Sequence, residues 1–267
     1  MAGFDPKTPS VARLYDYGQG GKDNFDADRK LAERLMAIYP PVFGLIAGNR
    51  MFLSLAATYA ANKGIEQFVD LGSGLPSEPN IHESVRAVNP DARVAYVDWD
   101  PVVVARMNVM FSDCEERVAV VQGDVRDSDA VLGALPDSFD PTAPVCLIMG
   151  ALLHFFDAAA ARDLVARYVG RLAPGSYVAA SICCGTGEVA DRFFGVYTDF
   201  VAEVHSHSAD EFAGFFAAPL RLVPPGVADA RVWRADWQDE ARAPETEMRV
   251  LVGLGAVPER DPAETGA

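Results

Sequence analysis

Gln67-Phe68-Val69-Asp70-Leu71-Gly72-Ser73-Gly74-Leu75-Pro76 is the stretch from which the fold can be read. Phe68 to Leu71 is a short apolar run with β-branched and aromatic character. Glycines follow at once, and Asn80-Ile81-His82-Glu83-Ser84-Val85 can then open a helix. Strand, glycine turn and helix in that order begin a nucleotide-binding α/β unit.

Residue detail narrows the nucleotide. A dinucleotide fingerprint carries a third glycine so that the helix N-terminus can take a pyrophosphate. Here that position is Ser77, and Pro76 stiffens the loop. Asp70 at the strand end would repel a phosphate but attract an ammonium group. The pattern D-x-G-x-G therefore suits a ligand with an amino-acid tail and no phosphates, and S-adenosylmethionine (SAM) fits. Ser77, Pro76 and Asp70 together disfavour an NAD-dependent oxidoreductase.

Downstream, strands and helices alternate. Ala92 to Val97 reads as the second strand, followed by Asp98-Trp99-Asp100 and a helix begun by Pro101, where the missing N–H costs nothing. Arg117 to Gln122 is the third strand, closed by Gly123-Asp124-Val125-Arg126-Asp127. Ala143 to Met149 is continuously apolar, as a central parallel strand buried on both faces should be. Asp157 caps a helix through Arg171, and Ser176 to Ile182 is the fifth strand. Helical segments follow near 188–203 and 208–217, and Leu220 to Val223 pairs antiparallel with Met248 to Leu254. This alternation predicts a doubly wound α/β sheet with ligands at the carboxyl ends of its strands.

Upstream the sequence is helical. Ser10 caps a helix through Tyr17, Asp26 to Met36 forms another, Pro40-Pro41 ends it, and Phe43 to Ala61 forms a third. Between the first two lies Gly18-Gln19-Gly20-Gly21-Lys22-Asp23-Asn24-Phe25, expensive in backbone entropy and readable as a binding loop or a plain surface turn.

Composition bounds the partners. The chain has 267 residues, half of them hydrophobic, with 23 basic against 38 acidic residues and a net charge of −15. Nucleic-acid binding needs clustered Lys and Arg, so none is expected. No apolar run approaches the ~20 residues of a membrane helix, and Met1 to Pro6 lacks signal-peptide character, so a cytoplasmic protein without a membrane partner is expected. Cys114, Cys146, Cys183 and Cys184 form no C-x-x-C pair and read as reduced thiols.

Asp70, Asp98 and Asp124 fall at three consecutive strand ends, which lie side by side in a parallel sheet. Asp70 can bond the methionine end of SAM or a water on it, and Asp98 both ribose hydroxyls. Asp124 can accept from the adenine amino group while the Val125 N–H donates to a ring nitrogen, and Trp99 can cover the adenine face. Asp100 and Asp127 read as helix N-caps. His82 is placed to orient the glycine loop. His205 and His207, without a third ligand, give no metal site. His154, after the fourth strand, is the candidate general base, with a histidine satisfied by a backbone carbonyl as the alternative. Phe155, Phe156, Phe193, Phe194, Tyr197, Phe200, Phe212, Phe215 and Phe216 are divided between the core and an apolar acceptor pocket.

The chain resembles the bacterial SAM-dependent methyltransferases long catalogued as a domain of unknown function, many encoded near natural-product genes. The marks are Tyr15-Asp16-Tyr17 with Gly20-Gly21-Lys22-Asp23-Asn24-Phe25, Asn49-Arg50 before Phe52-Leu53, Asp70 to Pro76, Asn80-Ile81-His82-Glu83, Tyr96-Val97-Asp98 through Pro101, and Leu172 to Tyr177. The resemblance implies a class I, Rossmann-like methyltransferase with a mostly parallel seven-stranded sheet. It implies a helical extension over residues 1–64 that closes on the cofactor, a core over 65–258 and a tail over 259–267. It makes residues 20–25 a binding loop. It also implies cofactor contacts from Tyr15, Gly21, Lys22, Asn24, Arg50 and Asn80, beside Gly72, Ser73, Gly74, Gly150 and Ala151. The family often has two adjacent histidines after the fourth strand, where this chain reads Leu153-His154-Phe155-Phe156.

The expected activity is methyl transfer from SAM to an O or N atom, less readily C, of a small aromatic or apolar acceptor, releasing S-adenosylhomocysteine. The rival is a SAM-binding protein of the same fold that catalyses a cyclisation or rearrangement, or acts as a sensor. The oligomeric state is not legible, and a homodimer stays open.

Overall fold

A computed structural model describes residues 5–114, 116–235 and 246–259. The expected tail falls almost wholly on 260–267, outside the described residues. Three helices come first: α1 (Val11–Gly18), α2 (Asp26–Ile38) and α3 (Val42–Asn62). Ser10 caps α1 through its side chain, which accepts from the Arg13 N–H. The buried Arg13–Asp28 ion pair, 2.8 Å between Nε and Oδ2, fixes α1 on α2. Asp28 also accepts the backbone N–H groups of Ser10 and Phe25, so the buried carboxylate is well satisfied.

Strands β1 (Gln67–Leu71), β2 (Arg93–Asp98), β3 (Val118–Gln122), β4 (Val145–Met149) and β5 (Tyr177–Gly185) are parallel, and β8 (Met248–Ala256) runs antiparallel to β5. The order is β3-β2-β1-β4-β5-β8-β6, with β6 (Arg221–Leu222) and β7 (Ala228–Asp229) both on β8. The chain leaves β1 toward β2 and β3, then returns to build β4 on the other side. That reversal opens a crevice at the carboxyl ends of β1 and β4.

Residues on alternate sides of each strand enter two different cores. Phe68, Val94, Tyr96 and Ile148 pack with Phe52, Ala56 and Ala60 of α3. Val69, Val97, Leu147 and Met149 pack with Leu164, Val165 and Tyr168 of α7 (Ala158–Val169). A third cluster joins Leu14, Leu31 and Leu35 to Phe193 of α8 (Gly187–Phe200) and Met248.

Three details depart from the sequence expectation. The sheet has eight strands instead of seven, because the closing edge is two short pieces. Pro224 and Pro225 offer no N–H to the ladder and separate β6 from β7. Strand β5 continues to Gly185, so Cys183 and Cys184 lie in the ladder facing Val250 and Arg249. The segment near 208–217 is a short helix, Ala209–Ala213, followed by a 3-10 turn over Gly214–Phe216. All four cysteines are free thiols. Among the described residues, no helix is long and apolar enough to cross a membrane.

Candidate functional site

A cavity of about 530 Å³ opens at the carboxyl ends of β1, β2, β3 and β4, within the range of small-molecule sites. Its floor is the turn after β1. The Gly72 and Ser73 N–H groups donate to the Val97 carbonyl at 2.8 and 3.2 Å. Gly72 and Gly74 have φ of +66° and +68°, a backbone region that suits glycine, and the turn brings main chain to the cavity without side chains in the way.

Asp98, at the end of β2, is 6% exposed and held from two sides. Its Oδ2 accepts the Gly74 N–H at 2.9 Å and its Oδ1 the Asp100 N–H at 2.9 Å. The carboxylate is thereby fixed with its remaining lone pairs toward the cavity it lines. Burial pushes its pKa up, and the backbone bonds from Asp100 and Gly74 pull it back.

Asp70 is 3% exposed, and its carboxylate makes no hydrogen bond or ion pair to any described residue. Burial pushes its pKa up to about 7, against the nearby Arg50 cation and with the Asp98 charge adding to the rise. An unpartnered buried carboxylate on a cavity wall is costly unless a ligand completes it. Arg50 lines the same wall and donates Nη2 to the Ser77 and Pro79 carbonyls at 3.0 and 3.3 Å.

Asp124 also reaches the cavity but is already paired: Arg126 donates Nε and Nη2 to both of its oxygens and its backbone N–H to Oδ1. That pairing holds the Asp124 carboxyl below its usual range. Trp99 stands at the mouth, 72% exposed, beside Val125. After β4 come Gly150 and Ala151; Ala151 has φ +50°, a strained setting for a residue with a Cβ.

Of the residues singled out in sequence, the structure brings Tyr15, Arg50, Asp70, Gly72, Ser73, Gly74, Asp98, Trp99, Asp124, Val125, Gly150 and Ala151 to this one cavity. Asn80, His82, Gly21, Lys22, Asn24 and His154 stand elsewhere. Asn80 caps the short helix Ile81–Arg86 in a reciprocal pair with Glu83. His82 is buried against Phe111, its Nδ1 2.9 Å from the Tyr96 hydroxyl, behind the glycine turn.

Gly21 and Asn24 wrap the loop around Asp16. Asn24 donates Nδ2 to Asp16 Oδ2 at 2.7 Å and to the Gly21 carbonyl at 3.0 Å. Lys22 is exposed. Asp23 pairs with Arg106 at 2.7 Å, tying the loop to α5 (Pro101–Met110), the helix that follows Asp98. A Cβ at Gly21 would lie 2.0 Å from Asp16 Oδ1. Gly21→Ala is therefore expected to expel the Asp16 side chain, break its bond to Asn24 and destabilise the protein by about 1–3 kcal/mol. The shift of the urea midpoint at constant slope measures it.

His154 has a different place from the one expected of a base. It lines a separate apolar chamber of about 60 Å³, with Phe193, Phe194, Tyr197 and Cys183. Its Nδ1 accepts the Cys183 N–H at 3.3 Å, which puts the proton on Nε2. Burial, with the His207 charge adding to it, pushes its pKa down to about 3. Tyr15 borders both the chamber and the large cavity. Phe155 and Phe156 line the large cavity, Phe212, Phe215 and Phe216 belong to the core, and Phe200 is exposed under Arg34.

Sequence reasoning gave no role to Asn49, which lines the cavity and is 2% exposed. The available signal was a polar residue on the apolar face shared by Phe52, Leu53 and Ala56. Among the described residues, no three His, Cys, Asp or Glu side chains gather closely enough to hold a metal ion.

The family model described as S-adenosyl methyltransferase matches residues 2–258. The chain belongs to that family. A crystal structure of a candidate methyltransferase from Thermobifida fusca YX shares 33% identity with this methyltransferase. It superposes with a TM-score of 0.85 over 94% of this chain and 96% of its own. A DUF574 family protein from Streptomyces avermitilis MA-4680 gives 31% identity and a TM-score of 0.85 over 95% and 99%. An O-methyltransferase family protein from Burkholderia thailandensis shares the fold at 15% identity, with a TM-score of 0.51 over 88% of this chain and 61% of that one. No curated protein matches. S-adenosylmethionine is thus the cofactor of this methyltransferase. The residues present fit it: an unpartnered carboxylate at Asp70, a second fixed carboxylate at Asp98 and an aromatic side chain at the mouth.

Proposed function

We propose that this methyltransferase acts on an O or N atom of a small, largely apolar or aromatic acceptor. The observation that carries this reading is the group of apolar and aromatic side chains in the lining of the large cavity. Its lining includes Leu152, Phe155, Phe156, Val201 and Ala202, with Glu203 beside them, and an apolar chamber shares Tyr15 with it. Such walls favour a flat or aliphatic molecule over a sugar or a nucleotide.

The bound cofactor supplies a methyl group already activated on a sulfonium. The protein's part is to bind, orient and exclude water. Asp70 takes the cofactor's ammonium group, Asp98 the ribose hydroxyls, and Trp99 with Val125 the adenine. Asp124 reaches the adenine amino group only with the lone pairs that Arg126 leaves free. The loop over Gly21, Lys22 and Asn24 acts indirectly, by anchoring α1 on α5 and so holding Tyr15 against the cavity. Asn80 and His82 act as supports that shape the turn beneath the site.

Holding an acceptor atom in line with the methyl accounts for most of the acceleration, about 7–11 kcal/mol by intramolecular analogy. His154 supports no proton transfer at neutral pH, because its lone pair is engaged and its pKa is low. The favoured acceptor is therefore one that is nucleophilic without help, such as a neutral amine or an acidic phenol.

The test is a screen of aromatic amines, phenols and short aliphatic amines for S-adenosylhomocysteine release, with product mass checked. Turnover of apolar amines or phenols is the expected result. Turnover confined to sugars, or substrate consumed without S-adenosylhomocysteine, would replace this reading, the latter with the cyclisation or rearrangement rival.

A further inference from the structure

The smaller chamber beside the large cavity has no role in the account above. Its volume is about 60 Å³, and its walls are mainly apolar, Leu14, Leu35, Ile46 and Phe193 among them. Tyr15 borders both spaces. The Tyr15 hydroxyl is bonded by the Asn49 side chain, which also bonds Ser181 Oγ at 2.5 Å, so this part of the partition is fixed. Phe155 lines the large cavity, and its ring centroid lies 4.4 Å from that of His154 and 6.4 Å from that of Tyr197, both in the chamber. One layer of aromatic side chains separates the two spaces.

Two polar groups border this apolar space with bonding capacity to spare. His154 is 5% exposed. Its Nδ1 is spent on the Cys183 N–H, so the proton sits on Nε2, and that N–H makes no hydrogen bond to any described residue. The lowered pKa keeps the ring neutral, leaving a donor without charge. The Tyr197 hydroxyl makes no hydrogen bond to any described residue either. Burial, with Tyr15 and Cys183 adding to it, holds its proton well above the ordinary range, so it too stays neutral.

A buried donor left unpaired is costly, and a ligand that brings an acceptor to it removes that cost. The chamber has room for a group of about three non-hydrogen atoms, since a cavity of about 150 Å³ takes a benzene ring. A carboxylate would lose its hydration to apolar walls and two neutral donors, so a charged group is disfavoured. An uncharged oxygen on a short carbon arm satisfies the size, the walls and the donors together.

Resting on the reading of a small apolar acceptor, we propose that the chamber recognises a short, uncharged, oxygen-bearing substituent of that acceptor, such as an acetyl group. The oxygen accepts from His154 Nε2 and from the Tyr197 hydroxyl. The rest of the acceptor stays in the large cavity, with the arm passing between Tyr15 and Phe155. His154 selects the acceptor and does not activate it.

Calorimetry on the full chain saturated with S-adenosylhomocysteine tests this with anilines whose para groups match in size: 4-aminoacetophenone, 4-isopropylaniline and 4-aminobenzoate. The ketone is expected to bind about 5- to 30-fold tighter than either of the others. His154→Asn keeps an oxygen for the Cys183 N–H but has no atom in the place of Nε2. It is expected to lower the ketone-to-isopropyl affinity ratio about 3- to 10-fold, and Tyr197→Phe, which loses only the hydroxyl, to do the same. His154→Gln returns a donor to that place and is expected to hold the ratio within about threefold of wild type. A merely structural role would move all three ligands together. Binding of S-adenosylhomocysteine reports the fold of each variant, and Tyr197→Phe decides alone if His154→Asn does not fold.

Equal affinity for ketone and isopropyl, a ratio unmoved by the substitutions, or binding of none of the three would overturn the proposal. Methylation of apolar amines without a ketone preference removes this inference and leaves the wider reading in place, whereas turnover confined to sugars removes both.

Discussion

Asp98→Ala is expected to abolish measurable cofactor binding while leaving a folded protein. Asp98 is the last residue of β2, and two backbone N–H groups fix its carboxylate against the cavity. In the proposed contact it accepts both ribose hydroxyls. Hydrogen bonds to a charged group contribute about 1.5–3 kcal/mol each, so losing two weakens binding by roughly 10²- to 10⁴-fold. A second loss adds to the first, because Gly74 and Asp100 forfeit the acceptor that shapes the glycine turn. Asp98→Asn retains one acceptor but turns an NH₂ toward a backbone N–H, so it too should bind poorly. Calorimetric titration with SAM and S-adenosylhomocysteine, together with a melting curve for each variant, checks the result. A change below about threefold in Asp98→Ala would remove the ribose from this carboxylate.

Asp70→Asn is expected to separate stability from binding. In the unfolded chain the Asp70 carboxyl loses its proton near its ordinary value of 3.8, whereas burial in the native cavity holds the proton until about pH 7. Between those values the native state carries a proton that the unfolded state has released, so stability falls as pH rises through this window and levels off above it. The ligand-free wild type therefore bears the full penalty at about pH 8 and none below about pH 4. Asp70→Asn, which has no charge to bury, should be more stable than wild type by on the order of 1–3 kcal/mol at about pH 8 and equal to it at about pH 4.

Binding should move in the opposite direction. A cationic ammonium group needs the ionised form, so wild-type affinity should rise about tenfold between roughly pH 6 and pH 8. Asp70→Asn should lose about 10- to 100-fold in affinity at about pH 8, along with most of that pH slope. Denaturant unfolding and calorimetry at both pH values measure the two effects. A variant that binds as tightly as wild type would place the ammonium elsewhere. The trade is the one expected where a site stores strain for its ligand.

Much of this was legible in the sequence because it rests on local chemistry. The glycine turn after a short apolar strand, the continuous apolar run from Ala143 to Met149, and aspartates at successive strand ends are all local patterns. So are the caps at Ser10, Asp100, Asp127 and Asp157, each of which accepts a backbone N–H of its own helix. Parallel strands then carry their ends, and Asp70, Asp98 and Asp124 with them, to one side of the sheet.

What the sequence could not show is which polar groups are left over. Whether a carboxylate is free or spent depends on partners from distant or turned-back chain. Arg126 occupies Asp124, while no described residue bonds the Asp70 carboxylate. His154 follows the fourth strand as expected, yet the 3-10 turn over Leu153–Phe155 buries it toward α8 and sets its lone pair on Cys183. Asn49 on α3 is bonded to a serine 132 positions away. The sequence alone determined the fold type and the edge of the sheet on which the site lies, because local patterns specify strands, turns and helix caps. Only the tertiary structure decided which side chains reach the cavity with hydrogen-bonding capacity to spare, because that capacity is what remains after every long-range contact has been made.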